Sequence, residues 1–188
     1  KSRPFLSCMF DEKIIRSLFG KKKGSGETVW EIKQKIGYFT TAMTERFDGM
    51  HDVQSMIISG LYDSVGLYQK PTTLEQARAE EWLALLGLKQ LSGARFRTLN
   101  EVQKRLVLIA RAMIKHPPLL ILDEPTAALN ETGAALIVSL INKIAASGST
   151  SVLYVSHKEE VGLELYNELL LVQDDCDFAG YTAKIRSS

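Results

Sequence analysis

The chain has 188 residues, 45% of them hydrophobic and 24% charged, with a formal net charge of +1. That length allows one well-buried domain, or one domain with a modest subdomain, and the near-neutral balance supplies no electrostatic reason to expect nucleic acid or an anionic membrane as partner. No apolar run approaches the roughly 18–20 residues of a membrane-spanning helix, and "KSRPFLSCMF" makes a poor signal peptide because Pro4 breaks its short apolar patch.

In chain order, "GKKKGSGE" (20–27) reads as a solvated loop, and "VWEIKQKIGYFT" (29–40) as a short polar–apolar alternation ending in a strand over Ile36–Thr40. From about residue 53 to 92 the pattern is helical. "PTTLEQARAEEWLALLGL" opens on Pro71 and a threonine cap, is expected to place Leu74, Ala77, Trp82, Leu85 and Leu86 on one face, and stops at Gly87. A second helix over 101–116 carries Val102, Leu106, Ile109, Ala110 and Met113 at spacings of three and four, and Pro117 ends it. Two apolar runs follow, "LLIL" (119–122) and "SVLYVS" (151–156), with a helix near 131–146 between them and Gly148 as its terminator. Strand, helix, strand makes a βαβ unit whose strands are buried on both faces. "ELLLVQ" (168–173) adds a further strand, and Cys8 and Cys176 show no metal spacing and read as free thiols of a reducing cytoplasm.

The chemistry concentrates at the ends of the two strands. Asp123 and Glu124 close "LLILDE", where open parallel sheets place their ligands. There a carboxylate can hold Mg²⁺ through water and its neighbour can orient an attacking water. Acids also favour helix N-termini, so a simple capping role stays open. His157 directly follows the second strand, within reach of a terminal phosphate or the attacking water.

These residues carry a family resemblance. "LLILDEPTAALN" resembles the Walker B strand and D-loop of the ATP-binding cassette (ABC) ATPases, "LYVSH" resembles their H-loop, and "RLVLIARAMIKHPPLLILDEP" matches the helix that leads into Walker B. "IKQKIGYFTTAM" is similar to the strand entering the Q-loop, while "LFGKKKGSGETVWEIKQKIGY" and "ISGLYDSVGLY" are most similar to the second cassette of the family's molybdenum-transport branch. The resemblance implies a P-loop NTPase-like α/β core with a helical subdomain: residues 1–50 belong to the core, 51–100 to the helical part, and 101–188 to the Walker B, D-loop and H-loop part. It implies ATP and Mg²⁺ as cofactors, Asp123 as the metal-associated acid, Glu124 as the catalytic base and His157 as the switch histidine. Partners would be a second cassette, as homodimer or tandem, and a membrane permease subunit, with the protein cytoplasmic and peripheral at the inner membrane.

Several positions depart from the family pattern. No G-x-x-x-x-G-K-[ST] occurs. "GKKKGSGET" has the glycines and lysines in the wrong order, so Lys1 and Ser2 are the candidate end of a phosphate loop, Ser2 also as metal ligand. The LSGGQ signature aligns with "LNEVQ": Asn100 and Gln103 can still cap the helix, whereas Glu101 brings a negative charge and Val102 a branched side chain to a surface that faces a partner's phosphate. Thr41 stands at the Q-loop glutamine and Asn130 at the D-loop aspartate. The expectation is an ABC cassette that hydrolyses ATP when complete and paired and is weak or inactive as this chain alone. The alternative is a non-catalytic ABC-like module that supports a partner. Nucleic-acid binding through Lys21–Lys23 rests on three lysines and is not expected.

Overall fold

The computed structural model describes residues 17–18, 21–22, 28–47, 50–157, 160–165, 167–173 and 181–187. Lys1, Ser2, Cys8 and Cys176 lie outside them. The chain divides into two units, residues 1–35 and residues 36–188.

In the first unit, β1 (Ser17–Leu18) and β2 (Lys21–Lys22) pair antiparallel, so two of the lysines expected in a loop lie in a ladder instead. Helix α1 (Val29–Gln34) replaces the alternation expected there. The deciding signal is a capping box. The Glu31 N–H donates to Thr28 Oγ1 at 3.2 Å and the Thr28 N–H to Glu31 Oε2 at 2.7 Å, which satisfies two otherwise orphan donors.

The second unit is built on a parallel sheet ordered β3 (Ile36–Thr40), β4 (Leu119–Asp123), β5 (Ser151–Val155). β4 is central, and Leu120, Ile121 and Leu122 are all buried, as a strand covered on both faces requires. Each such leucine contributes about 1.5–3 kcal/mol by leaving water. The register sets Thr40 beside Asp123 and Asp123 beside Val155, so three strands end level.

Between β3 and β4 the chain is helical: α2 (Met43–Arg46), α3 (Val53–Ile58), a 3₁₀ turn over Ser59–Tyr62, α4 (Thr73–Leu85) and α5 (Glu101–Met113). α5 packs on α3 and β3, and α6 (Glu131–Ala146) packs on α5 and β5. On α4 the buried residues are Ala79 and Leu83, while Leu74 and Leu85 are 64% and 53% exposed. Apolar residues run around this helix: Ala79 and Leu83 turn fully inward, while Trp82 and Leu86 of the expected face are half-buried against the same core. α5 ends at Met113, short of the expected 116; His116, at φ +50°, turns the chain toward β4 before Pro117. The glycine stops hold, with Gly87 and Gly148 at φ +67° and +68° just past α4 and α6. A separate antiparallel ladder joins β6 (Asn167–Gln173), which includes the expected strand at 168–173, to β7 (Tyr181–Ser187). Among the described residues no helix is long and apolar enough to cross a membrane.

Candidate functional site

Because β3, β4 and β5 end level, the residues that follow them form one rim: Thr41, Glu124, and Ser156 with His157. Glu124 sits in the left-handed region at φ +52°, a costly place for a residue with a Cβ. Its backbone is held from both sides. The N–H donates to Val155 O at 2.9 Å, and the carbonyl accepts from Thr41 Oγ1 at 2.5 Å and from the Ala127 N–H at 3.2 Å. The His157 N–H donates to Glu124 Oε1 at 2.7 Å, and His157 Nε2 lies 3.8 Å from that same oxygen. The His157 side chain is 97% exposed and that of Glu124 22%. Asp123, half-buried, accepts from Thr40 Oγ1 through Oδ2 at 3.3 Å. The structure thus brings together four residues singled out in the sequence, Thr41, Asp123, Glu124 and His157.

The turn after Glu124 is fastened by residues that sequence reading passed over. Arg105, buried on α5, donates from Nη1 to Pro125 O at 2.9 Å, while its Nε is buried without a hydrogen-bond partner. Thr126 is fully buried: its hydroxyl meets Tyr154 OH at 3.1 Å and donates to Glu160 Oε1. Burial raises the Tyr154 phenol above its ordinary value, as a low-polarity setting disfavours phenolate. Glu160, three residues beyond His157, also accepts from Ser156 Oγ at 3.4 Å. The turn after Glu124 and the segment after β5 are therefore tied together. The only available signal was spacing, Thr126 and Glu160 each lying within three residues of an already suspected residue.

The signature-like segment lies at the N-terminus of α5. The Gln103 N–H donates to Asn100 Oδ1 at 2.9 Å and the Asn100 N–H to Gln103 Oε1 at 3.1 Å, the capping box expected from the sequence. The other two residues have neighbours of their own. Glu101 pairs with Lys104 at 2.7 Å, so its charge is met on its own helix. Val102, half-buried, packs its side chain against the core, and its Cγ2 would stand 2.7 Å from a Cβ placed on Gly133. A glycine at 133 is what lets the first turns of α5 and α6 approach. Asn130 caps α6 by accepting from the Gly133 N–H at 2.9 Å. The start of α5 and the start of α6 meet there.

A family model described as ABC transporter matches residues 11–127, more than half of the chain. The chain belongs to the ABC transporter family. Among relatives, it is 41% identical over 145 residues to the ABC transporter ATP-binding protein ModF of Escherichia coli K12, covering 77% of this chain and 30% of ModF. It is 31% identical over 157 residues to the ABC transporter ATP-binding protein YlmA of Bacillus subtilis (83% and 60%) and 28% identical over 158 residues to the molybdate import ATP-binding protein MolC of Haemophilus influenzae (84% and 62%). The cassette spans less than two thirds of the length of each of these relatives. The narrower resemblance to molybdenum-transport cassettes accords with ModF and MolC. In fold, it matches cbiO1 of Clostridium perfringens, part of the ABC transporter complex cbiONQ, at TM-score 0.62 with 23% identity, over 73% of this chain and 53% of that one. The dimeric ATP-binding cassette MJ0796 with ADP and phosphate gives TM-score 0.57 and 21% identity, over 75% and 61%. These two likenesses establish the P-loop NTPase-like α/β cassette fold.

Proposed function

We propose that this chain supplies the carboxylate edge of an ABC cassette, which binds and hydrolyses ATP with Mg²⁺ when joined to a complete phosphate loop and closed against a second cassette. The observation that carries the reading is the convergence of Asp123, Glu124 and His157 at level ends of neighbouring parallel strands. The donors suit the metal. Mg²⁺ takes oxygen ligands and is commonly bound through one or two carboxylates plus substrate phosphates and water, and Asp123 offers a half-buried carboxylate beside the Thr40 hydroxyl. When bound, the ion would neutralise charge on the phosphate oxygens.

Within this reading, Glu124 orients and deprotonates the attacking water, with the His157 peptide fixing its carboxylate at one oxygen. The exposed His157 imidazole is free to swing to a terminal phosphate. Lys1 and Ser2 end the phosphate loop, with Ser2 as second metal ligand. Thr41 stands at the Q-loop position. Asn100, Glu101, Val102 and Gln103, with Asn130, form the face turned to the second cassette. The relatives' names support a transport role, and a permease partner and a cytoplasmic place at the inner membrane belong to the same proposal.

Phosphate release measured on the isolated 188-residue chain should stay at background. In the natural gene product with its partner cassette, Glu124→Gln should lower turnover about 10²–10⁴-fold, the usual contribution of a general base, while ATP binding persists. Turnover untouched by Glu124→Gln would overturn the reading. No turnover in the paired wild type would favour the non-catalytic module.

A further inference from the structure

We propose that Thr41 is a positioning residue: its hydroxyl holds the Glu124 peptide in its left-handed conformation, rather than contacting metal or nucleotide itself. The inference rests on the proposed role of Glu124. Three observations carry it. Glu124 is at φ +52°, where a side chain with a Cβ persists only if its surroundings over-determine it. Of the bonds that fix this backbone, the N–H to Val155 O reaches β5, and the carbonyl accepts from Thr41 as well as from the Ala127 N–H of its own turn, so a neighbouring strand end anchors each side. Thr41 Oγ1 reaches that carbonyl at 2.5 Å, while its own carbonyl accepts from Thr44 Oγ1 at 2.8 Å and from the Thr44 N–H at 3.1 Å, so the turn presenting the hydroxyl is itself pinned.

A hydroxyl has one proton to donate, and here it is directed at Glu124 O. The side chain is also short. A group meant to reach a metal or a phosphate in front of the rim would need to project away from the strand ends, whereas this one closes back across them. Its consequence falls on the Glu124 carboxylate. With the peptide fixed at N–H and carbonyl, the side chain leaves the backbone in one direction and meets the His157 N–H at 2.7 Å. If Thr41 lets go, the carbonyl keeps only the Ala127 N–H of its own turn, the hold on φ +52° weakens, and the carboxylate drifts off the line it now holds.

The test uses Thr41→Val, which removes the hydroxyl and keeps the shape, Thr41→Ser, which keeps the hydroxyl, and Thr41→Gln, which installs the longer amide. In the natural gene product, Thr41→Val should lower kcat about 10–100-fold, the scale of an ångström-level misplacement, with KM for ATP and the Mg²⁺ requirement unchanged. Thr41→Ser should restore kcat, and Thr41→Gln should not. Hydrogen exchange of the segment 124–129 in the nucleotide-free protein should be faster in Thr41→Val and Thr41→Gln, and as in wild type in Thr41→Ser. That second readout needs no turnover, so it tests the positioning even if the ATPase reading fails. A raised Mg²⁺ requirement in Thr41→Val with full activity in Thr41→Gln would assign Thr41 to the metal or nucleotide and overturn the proposal. Unchanged exchange in Thr41→Val would overturn it as well.

Discussion

Gly60 lies in the 3₁₀ turn that follows α3, fully within the core, where the helical segment crosses the C-terminal half of α5. A Cβ there would meet Arg111 O at 2.0 Å, its carbonyl carbon at 2.9 Å and its Cγ at 3.0 Å. Contacts of that kind do not fall below 3.0 Å, so Gly60→Ala forces the two backbones apart by about 1 Å. Arg111 is the wrong residue to disturb. Its guanidinium is buried, donates to Ser59 Oγ at 3.1 Å and Ser64 O at 2.8 Å, and stands 4.6 Å from the Phe47 ring centroid. Overpacking of a close-packed core costs about 1–3 kcal/mol, and weakening buried hydrogen bonds of a charged group adds roughly 1.5–3 kcal/mol. A total of about 2.5–6 kcal/mol, at a urea slope of about 2–3 kcal/mol per molar, lowers the midpoint by about 1–3 M. Urea unfolding followed by far-ultraviolet circular dichroism measures it. Gly93→Ala is the matched control, because nothing lies within 4 Å of a Cβ at that position. A Gly60→Ala midpoint equal to that of Gly93→Ala would refute the close packing of these helices.

Thr126→Val removes the hydroxyl between Tyr154 and Glu160 and with it one hydrogen bond to each, so it should destabilise by about 1–3 kcal/mol in the same unfolding assay; an unchanged midpoint would dismiss the link. Asn130→Ala loses the cap of α6 and should cost about 1 kcal/mol, while Asn130→Asp, equally able to accept from the Gly133 N–H, should not. Equal melting temperatures of the two variants would contradict the cap. The raised Tyr154 pKa stabilises the fold below the phenol's ordinary value of 10.0, and that contribution is lost as pH rises above it. Arg111 pushes the other way: burial holds its guanidinium down at about 10, so its penalty is relieved as pH rises. Comparing wild type with Tyr154→Phe isolates the tyrosine, and the variant should lose less stability between about pH 9.5 and 11. Identical pH slopes would argue against a buried phenol.

The family was legible because its signals are local. "LLILD" is apolar on both faces and ends in acids, Gly87 and Gly148 sit where helices must stop, and Asn100 with Gln103 fits a capping box, so short-range chemistry decides each. α1 was missed although its signal was equally local, since the Thr28–Glu31 box outweighs a weak alternation. Where apolar residues surround a helix, sequence alone does not choose the buried face. α4 turned in Ala79 and Leu83 because the neighbouring α3 offers room for those.

Side-chain direction was likewise a tertiary decision. Glu101 pairs with Lys104, and Val102 fills the space that Gly133 leaves open, neither of which the sequence order specifies. The sequence by itself determined that Asp123, Glu124 and His157 end parallel strands, because residue order and strand length set that. Only the tertiary structure decided that the three strands end level, that Thr41 closes on the Glu124 carbonyl, and that Thr126 meets Glu160 beside it. Those contacts join residues 83 and 34 positions apart, and no local preference encodes a distance set by register and packing.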